Sequence, residues 1–120
     1  MVNNKYASGA NFERKIIKEL VNLGCPIVMR GAGSKSYGRI KADIIAICPN
    51  HKVLIIQAKH SNKVDIEERD DFNRNVYNLN YKDKRIIGWW ADSKYYDKDI
   101  LEISELIKDK YHNYPGFDEE

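Results

Sequence analysis

The chain has 120 residues, 42% of them hydrophobic and 32% charged, which is enough to bury one core but not two. No apolar run approaches the roughly 18 residues of a membrane-spanning helix, and no hydrophobic segment opens the chain, so composition argues against membrane and secreted proteins. We therefore expect a single intracellular domain over residues 1–120 without a membrane partner. Cys25 and Cys48 are expected to be reduced core thiols, because no further soft ligands stand at a zinc-site spacing.

The formal net charge is only +2, but it is unevenly distributed along the chain. Residues 1–64 hold eleven Lys or Arg against three acids, a net charge of +8, whereas residues 65–120 hold nine against fifteen, a net charge of −6. Such an uneven charge indicates a polyanionic partner such as nucleic acid. The alternative is a solvated basic face that binds nothing.

The first predicted element is a helix over residues 8–23. Ser8 is a suitable N-cap, and Gly24 suits the C′ position because a proline follows two residues later. Glu13 lies at the edge of the apolar stripe and leans toward the expected sheet, whereas Arg14 lies toward the other side. The alternative for Glu13 is a favourable interaction with the helix dipole. The apolar stripe comprises Phe12, Ile16, Leu20 and Leu23.

A short predicted strand over residues 26–30 leads into a loop, Gly31–Arg39, that contains three Gly, two Ser and two basic residues. Such a loop can approach a ligand with its backbone, and it offers hydroxyl, amide and cationic donors to phosphate. The GxxxxGK[ST] spacing of a Walker loop is absent. A plain flexible connection is the alternative, but basic residues at both ends, Arg30 and Arg39, favour contact with phosphate.

A hairpin is predicted next, because two β-branched runs, 42–48 and 53–58, flank a Pro-Asn-His-Lys turn. If the turn has three residues, Asp43 falls directly opposite Gln57, and Lys59 lies within diagonal reach on the same face. A carboxylate, an amide and an ammonium then meet at one end of an apolar hairpin. The alternative is an exposed strand end at which these groups face water.

The later part of the chain alternates helix and strand. Trp89 and Trp90 fall on opposite faces of the strand that contains them, which predicts one in the core and the other exposed. The pattern predicts a polar helix at 65–79, a strand at 85–91, a last helix at 99–110 and a loosely held acidic tail at 111–120.

The predicted order is α-β-β-β-α-β-α, with Glu13 on the first helix, Asp43 on the second strand and Gln57-Ala58-Lys59 on the third. With these residues the sequence resembles the PD-(D/E)xK nuclease superfamily, and most closely the archaeal-type Holliday junction resolvases, including those of archaeal viruses. The resemblance is specific over residues 8–59, and after residue 64 it covers only the order of elements. Its specific parts are Gly9 to Glu13-Arg14, Gly24, Arg30, Ser34, Asp43-Ile44-Ile45-Ala46 and Lys59.

The resemblance implies an α/β fold, a single domain whose central mixed β-sheet is flanked by helices in the restriction-endonuclease-like arrangement. It also implies a homodimeric resolvase that makes paired cuts in four-way junction DNA, in the cytoplasm, and in that of an archaeal host if the protein is viral.

The resemblance further assigns roles to single residues. Glu13, Asp43 and Gln57 would bind magnesium, for which manganese would substitute, and magnesium prefers such oxygen ligands. Lys59 would position or activate the attacking water, and Ser34 would act near the scissile phosphate. The residues expected to bind DNA are Arg14, Arg30, Lys35 and Arg39.

Two positions depart from the superfamily pattern, because Ala42 stands where a proline is usual and Gln57 where an acid is usual. An amide oxygen can bind magnesium but has no formal charge, so we expect a lower metal affinity, with activity where metal is plentiful. An inactivated protein is the alternative. Two other functions also stay open: another PD-(D/E)xK endonuclease, of restriction or repair type, and a catalytically silent DNA-binding protein on the same scaffold.

Overall fold

The predicted order of elements is confirmed by the computed structural model, which describes residues 4–31, 42–60 and 65–108. The predicted tail at 111–120 lies outside these residues. No helix in the described part of the chain is long and apolar enough to cross a membrane. The elements are α1 (Asn4–Asn22), β1 (Ile27–Arg30), β2 (Ile44–Ile47), β3 (Val53–Lys59), α2 (Ile66–Lys82), β4 (Ile86–Asp92) and α3 (Tyr96–Lys108), with a short 3-10 turn, Ser93–Tyr95, before α3.

The strands of the described residues form one mixed sheet in the order β1-β2-β3-β4. The pairs β1–β2 and β2–β3 are antiparallel, whereas β3 and β4 are parallel. Parallel neighbours need a crossover connection, and α2 supplies it between β3 and β4. The fold is therefore the predicted α/β fold, a mixed sheet flanked by helices in the restriction-endonuclease-like arrangement.

One face of the sheet holds the main core. It is covered by α1, which contacts β1, β2 and β3, and by α3, which contacts β4. Because strand side chains alternate between faces, every second residue of β2 and β3 points into this core. The predicted stripe of α1 packs against them, and its three buried members belong to the same cluster. The buried apolar residues of α1, β2 and β3 are Phe12, Ile16, Leu20, Ile44, Ala46, Leu54 and Ile56.

On the opposite face α2 packs against β4, and its buried residues are Phe72 and Val76. Phe72 meets Trp90 edge to face, with ring centroids 5.7 Å apart. Trp90 is therefore half-buried under α2 and not exposed as predicted, while Trp89 lies in the core. Ile66, in the first turn of α2, is 60% exposed, because six residues of helix place it about 120° around the axis from Phe72.

The start of α1 differs from the sequence prediction, whereas its end agrees with it. The helix begins four residues earlier than predicted, so Ser8 lies within it and is not its N-cap. Nothing in residues 4–7 is a strong helix breaker, so the first turn extends through them. At the other end the prediction is confirmed, because Gly24 has φ 99° and donates its N–H to the Val21 carbonyl at 3.0 Å. Cys25 donates to the Leu20 carbonyl at 3.1 Å, which completes a Schellman motif.

A three-residue turn joins β2 to β3, as predicted. Cys48 donates its N–H to the Lys52 carbonyl at 2.8 Å, and His51, the last residue of the turn, has φ 73°. A left-handed residue at this position is typical of three-residue hairpin loops, and the loop fixes the register of the strands that it joins. Both Cys25 and Cys48 are buried free thiols, which confirms the expectation for the cysteines.

Candidate functional site

The hairpin places Asp43 beside the end of β3. The ladder ends at the pair Ile44 and Ile56, and Asp43 donates its N–H to the Ile56 carbonyl at 2.8 Å, so it departs from the regular register that would put it directly opposite Gln57. The Ala58 N–H donates to Oδ2 of Asp43 at 2.8 Å. Asp43 itself lies one residue before β2 and not within the strand as predicted, because its carboxylate accepts a hydrogen bond that a regular ladder would give to a backbone carbonyl.

The backbone of Asp43 is held from its other side by the end of β1. Gly31 donates its N–H to the Asp43 carbonyl at 2.6 Å. A side chain at position 31 would overlap the Ala42 carbonyl oxygen, so this close approach requires glycine. Asp43 is thus held through its backbone by Gly31, directly after β1, and by Ile56 of β3, and through its side chain by Ala58 of β3.

Asp43 is the electrostatic centre of the site. Burial raises the pKa of its carboxyl, and the hydrogen bond from the Ala58 N–H lowers it. Among the neighbouring charges, those of Glu13 and Glu68 raise this pKa and that of Lys59 lowers it. Burial and two like charges disfavour the ionised form of this carboxyl, and a cation placed beside it would stabilise that form.

Glu13 extends from α1 toward this site and is paired with Arg30 at the end of β1. Arg30 Nη2 lies 2.8 Å from Glu13 Oε1, and the side chains are 56% and 22% exposed, respectively. Arg30, predicted to bind DNA, therefore neutralises a predicted metal ligand. Because the pair is partly solvated, it stabilises the fold by no more than about 1 kcal/mol.

Lys59, the predicted catalytic ammonium, lies at the end of β3 and is paired with a residue that sequence reasoning missed. Its Nζ is 3.0 Å from Oε2 of Glu68 on α2 and 5.6 Å from the centroid of the Trp90 ring. Glu68 follows the N-cap Asp65 by three residues, a spacing that places it in the first turn of a helix. The sequence therefore shows where Glu68 lies along the helix, but it does not show that the Glu68 side chain points at β3.

Gln57 is the buried amide of the site. It is 9% exposed, and its Oε1 has no hydrogen-bond partner among the residues that the structure describes. Its register partner on β4 is Trp90, whose Nε1 likewise lacks a partner there. A buried oxygen without a partner costs about 1–3 kcal/mol, so Gln57 keeps an acceptor available beside Asp43 at the expense of stability.

The oxygen donors of the site suit a hard divalent cation. Glu13 and Asp43 supply carboxylates and Gln57 supplies an amide oxygen that lacks a partner, and magnesium prefers such oxygens to nitrogen or sulfur. Within residues 4–31, 42–60 and 65–108 there is no group of three or more His, Cys, Asp or Glu that could hold a metal. The oxygen donors that these three residues offer to a cation are therefore two carboxylates and one amide, in place of three carboxylates.

The remaining predicted site residues lie nearer the surface or outside the described chain. Arg14 is exposed and donates to Oδ1 of Asn11 at 3.1 Å, so its guanidinium stays where a phosphate can reach it. Ser34, Lys35 and Arg39 fall within residues 32–41, outside the part of the chain that the structure describes.

A comparison with protein-family models gave a match over nearly the whole chain. The model for archaeal Holliday junction resolvase (Hjc) matches residues 4–115. Comparisons with curated proteins and with solved structures gave no match. The span matched by the family model includes the residues that cluster around Asp43, which are Glu13, Arg30, Gln57, Ala58, Lys59 and Glu68.

Proposed function

This chain belongs to the archaeal Holliday junction resolvase family, and from that premise we propose that it cuts four-way DNA junctions by metal-dependent hydrolysis of paired phosphodiester bonds. Membership of this family indicates a nuclease that acts on Holliday junctions. We add to this that the reaction depends on a metal, that the cuts are paired and that the residues have the roles given below. The observation that carries it is the position of Asp43, fixed by Ala58 at 2.8 Å between the opposite charges of Glu13 and Lys59.

The residues around Asp43 divide the chemistry between them. Glu13, Asp43 and Gln57 would hold the cation through their oxygens. When bound, magnesium or manganese supplies positive charge to the scissile phosphate and acidifies water. Lys59 presents its ammonium beside Asp43, where it stabilises negative charge that develops on the phosphate. Ser34 is proposed to position the DNA strand near the cut.

Basic residues are proposed to supply most of the affinity for DNA, because phosphate contacts dominate such binding and make it depend on salt. Arg14 is exposed, and Arg30 has a half-exposed guanidinium beside the site. A phosphate that engages Arg30 would release Glu13 for the cation, which would couple DNA binding to metal binding. The loop residues Lys35 and Arg39 are proposed to contact the same strand.

The proposed homodimer is supported by an apolar patch at the sheet edge. Ile27 and Met29 of β1 are 49% and 52% exposed, and their register partners Ile47 and Ile45 are partly exposed beside them. Such a patch marks an interaction surface, and we assign it to a second copy of this chain. A two-fold pair presents two sites to opposing strands, which suits paired cuts.

The dimer is tested by Met29→Asp, which places a charge in the patch. Sedimentation should show a monomer, and cleavage of a junction should give single nicks where the parent protein gives paired cuts. Tyr81→Asp, at a 73% exposed position of α2, serves as the matched control and should stay dimeric. A dimeric Met29→Asp protein would place the interface elsewhere.

The nuclease activity is tested on a four-way junction and on linear duplex of the same sequence, each with magnesium and with EDTA. We expect cleavage of the junction only with metal, and little cleavage of the duplex. Equal cleavage of both DNAs would favour another endonuclease of the same superfamily. Junction binding without cleavage at any metal concentration would favour a silent DNA-binding protein.

The uncharged Gln57 is proposed to raise the metal requirement of the enzyme. The charge and number of the ligands set the affinity of a site for a divalent cation, so Gln57→Glu should reach half-maximal cleavage at a lower magnesium concentration than the parent protein. With manganese, too, Gln57→Glu should reach half-maximal cleavage at a lower metal concentration than the parent protein. If the parent protein were inert at every concentration and Gln57→Glu restored cutting, the chain would be a disabled resolvase.

A further inference from the structure

The first turn of α2 places a carboxylate over the polar end of β3. Oε2 of Glu68 lies 3.0 Å from Nζ of Lys59, and the two side chains are 40% and 29% exposed. The backbone of this turn is fixed as well, because the Glu68 N–H donates to Oδ1 of the N-cap Asp65 at 3.1 Å. Glu68 is thus held at the site by its helix and is not a freely moving surface acid.

The charge of Glu68 also reaches the centre of the site. It raises the pKa of the Asp43 carboxyl, after the larger contributions of burial and of the charge of Glu13. Glu68 therefore belongs to the same electrostatic cluster as Glu13 and Asp43. The residue between Asp43 and Lys59 on this face is Gln57, which has no charge and an Oε1 without a partner in the described chain.

We propose that Glu68 is a positioning residue, which holds the Lys59 ammonium in place and gives the site the third carboxylate charge that Gln57 does not provide. This inference rests on the proposed metal-dependent cleavage. Glu68 acts through its contact with the Lys59 ammonium at 3.0 Å and through its charge. The ammonium of a lysine stands on a flexible four-carbon stem, so a carboxylate at a fixed position restricts where that ammonium lies.

Glu67 provides a matched control in the adjacent position. Both acids lie in the first turn of α2 and interact similarly with the helix dipole, but Glu67 is exposed. Removing either charge changes the net charge and the dipole interaction equally. Only Glu68→Gln removes the contact with Lys59.

The test measures binding of Mn²⁺ to the free protein by electron paramagnetic resonance, and cleavage of a four-way junction. Glu68→Gln should weaken Mn²⁺ binding by about 10- to 100-fold and lower kcat, with KM and junction affinity in EDTA unchanged. Glu67→Gln should match the parent protein in each measurement. Glu68→Asp keeps the charge and should recover most of the Mn²⁺ affinity.

The double variant Gln57→Glu, Glu68→Gln tests whether the charge can be moved from helix to strand. Its carboxylate count equals that of the parent protein, so Mn²⁺ affinity and kcat should return toward parental values. The inference is overturned if Glu67→Gln causes the same losses as Glu68→Gln, or if the double variant binds Mn²⁺ as weakly as Glu68→Gln. A parent protein that neither binds Mn²⁺ nor cuts junctions would instead overturn the proposed function, and this inference with it.

Discussion

The two faces of the β2–β3 hairpin differ in how well their groups are satisfied. Toward α1, the strands of the hairpin present apolar side chains, and four of them are fully buried in the main core. On the other face, at the end of the same strands, Asp43 is an ionisable group whose pKa is raised by burial, and Gln57 has a buried oxygen without a partner in the described chain. The core-facing residues are Ile44, Ala46, Leu54 and Ile56.

The face toward α1 (the core face) contributes to the stability of the fold. The end of the opposite face that carries Asp43 and Gln57 (the polar face) carries groups of the candidate site. Each fully buried Ile or Leu side chain of the core face contributes about 1.5–3 kcal/mol, whereas buried charges and unpaired polar atoms oppose folding. Groups of the second kind are typical of sites that gain their partner from a ligand. The hairpin therefore uses the stability of one face to hold unfavourable groups in place on the other.

The largest expected effect is on the polar face. Asp43→Ala should abolish detectable junction cleavage, because it removes a carboxylate ligand and the centre of the charge cluster. Junction affinity, measured by fluorescence anisotropy in EDTA, should stay nearly unchanged, since phosphate contacts supply it. Lys59→Ala should behave similarly. If binding fell in step with cleavage, these residues would serve DNA affinity and not the chemical step.

The opposite behaviour is expected on the core face. Leu54→Ala should lower the free energy of unfolding by about 2–5 kcal/mol, through lost transfer free energy and the cavity that it leaves. Urea denaturation measures this loss, and cleavage per folded molecule should stay close to the parental rate at low temperature. A Leu54→Ala protein that is stable but inactive would show that the two faces are not separable.

The core face could be predicted from the sequence almost completely. Two short β-branched runs define the strands, and a three-residue turn sets the register in which Ile44 pairs with Ile56. The end of α1 could also be predicted, because Gly24 favours the left-handed conformation that stops a helix. These features depend on local chemistry, which the sequence shows directly.

The partners of the polar face could not be predicted, because they depend on how distant elements meet. Nothing local shows that Arg30 pairs with Glu13 or that Glu68 on α2 reaches Lys59. The burial of Trp90 was missed for the same reason, since α2 has a thin apolar stripe whose direction depends on packing. The start of α1 was missed because a preferred N-cap residue such as Ser8 is also tolerated inside a helix.

A smaller effect is expected from Arg30, which lies at the border between the site and solvent. Arg30→Ala should weaken junction binding and flatten its salt dependence by about one phosphate. Arg74→Ala, which removes an exposed arginine paired with Asp71 on α2, serves as the control and should leave the slope unchanged. Equal slopes for the parent and Arg30→Ala proteins would place Arg30 away from DNA and leave only its contact with Glu13.

The smallest effect concerns the stability cost of the polar face in the absence of metal. Asp43→Asn should raise the thermal midpoint in EDTA near neutral pH. In the folded protein the pKa of Asp43 lies above its usual value of 3.8, so above both values the ionised carboxylate opposes folding. Asparagine cannot ionise, and it keeps an oxygen that can accept the Ala58 N–H.

The dependence on pH gives this prediction its sign. As the pH falls below the usual range of an aspartate, the carboxyl is protonated in both the folded and the unfolded protein, and its cost disappears. The gain from Asp43→Asn should therefore shrink between neutral pH and pH values near 3.8, as measured by thermal melts in EDTA. Asp71→Asn, at a position where the side chain is 67% exposed, should show no comparable gain. If Asp43→Asn raised the thermal midpoint by the same amount at every pH, the gain would come from packing and not from removal of the buried charge.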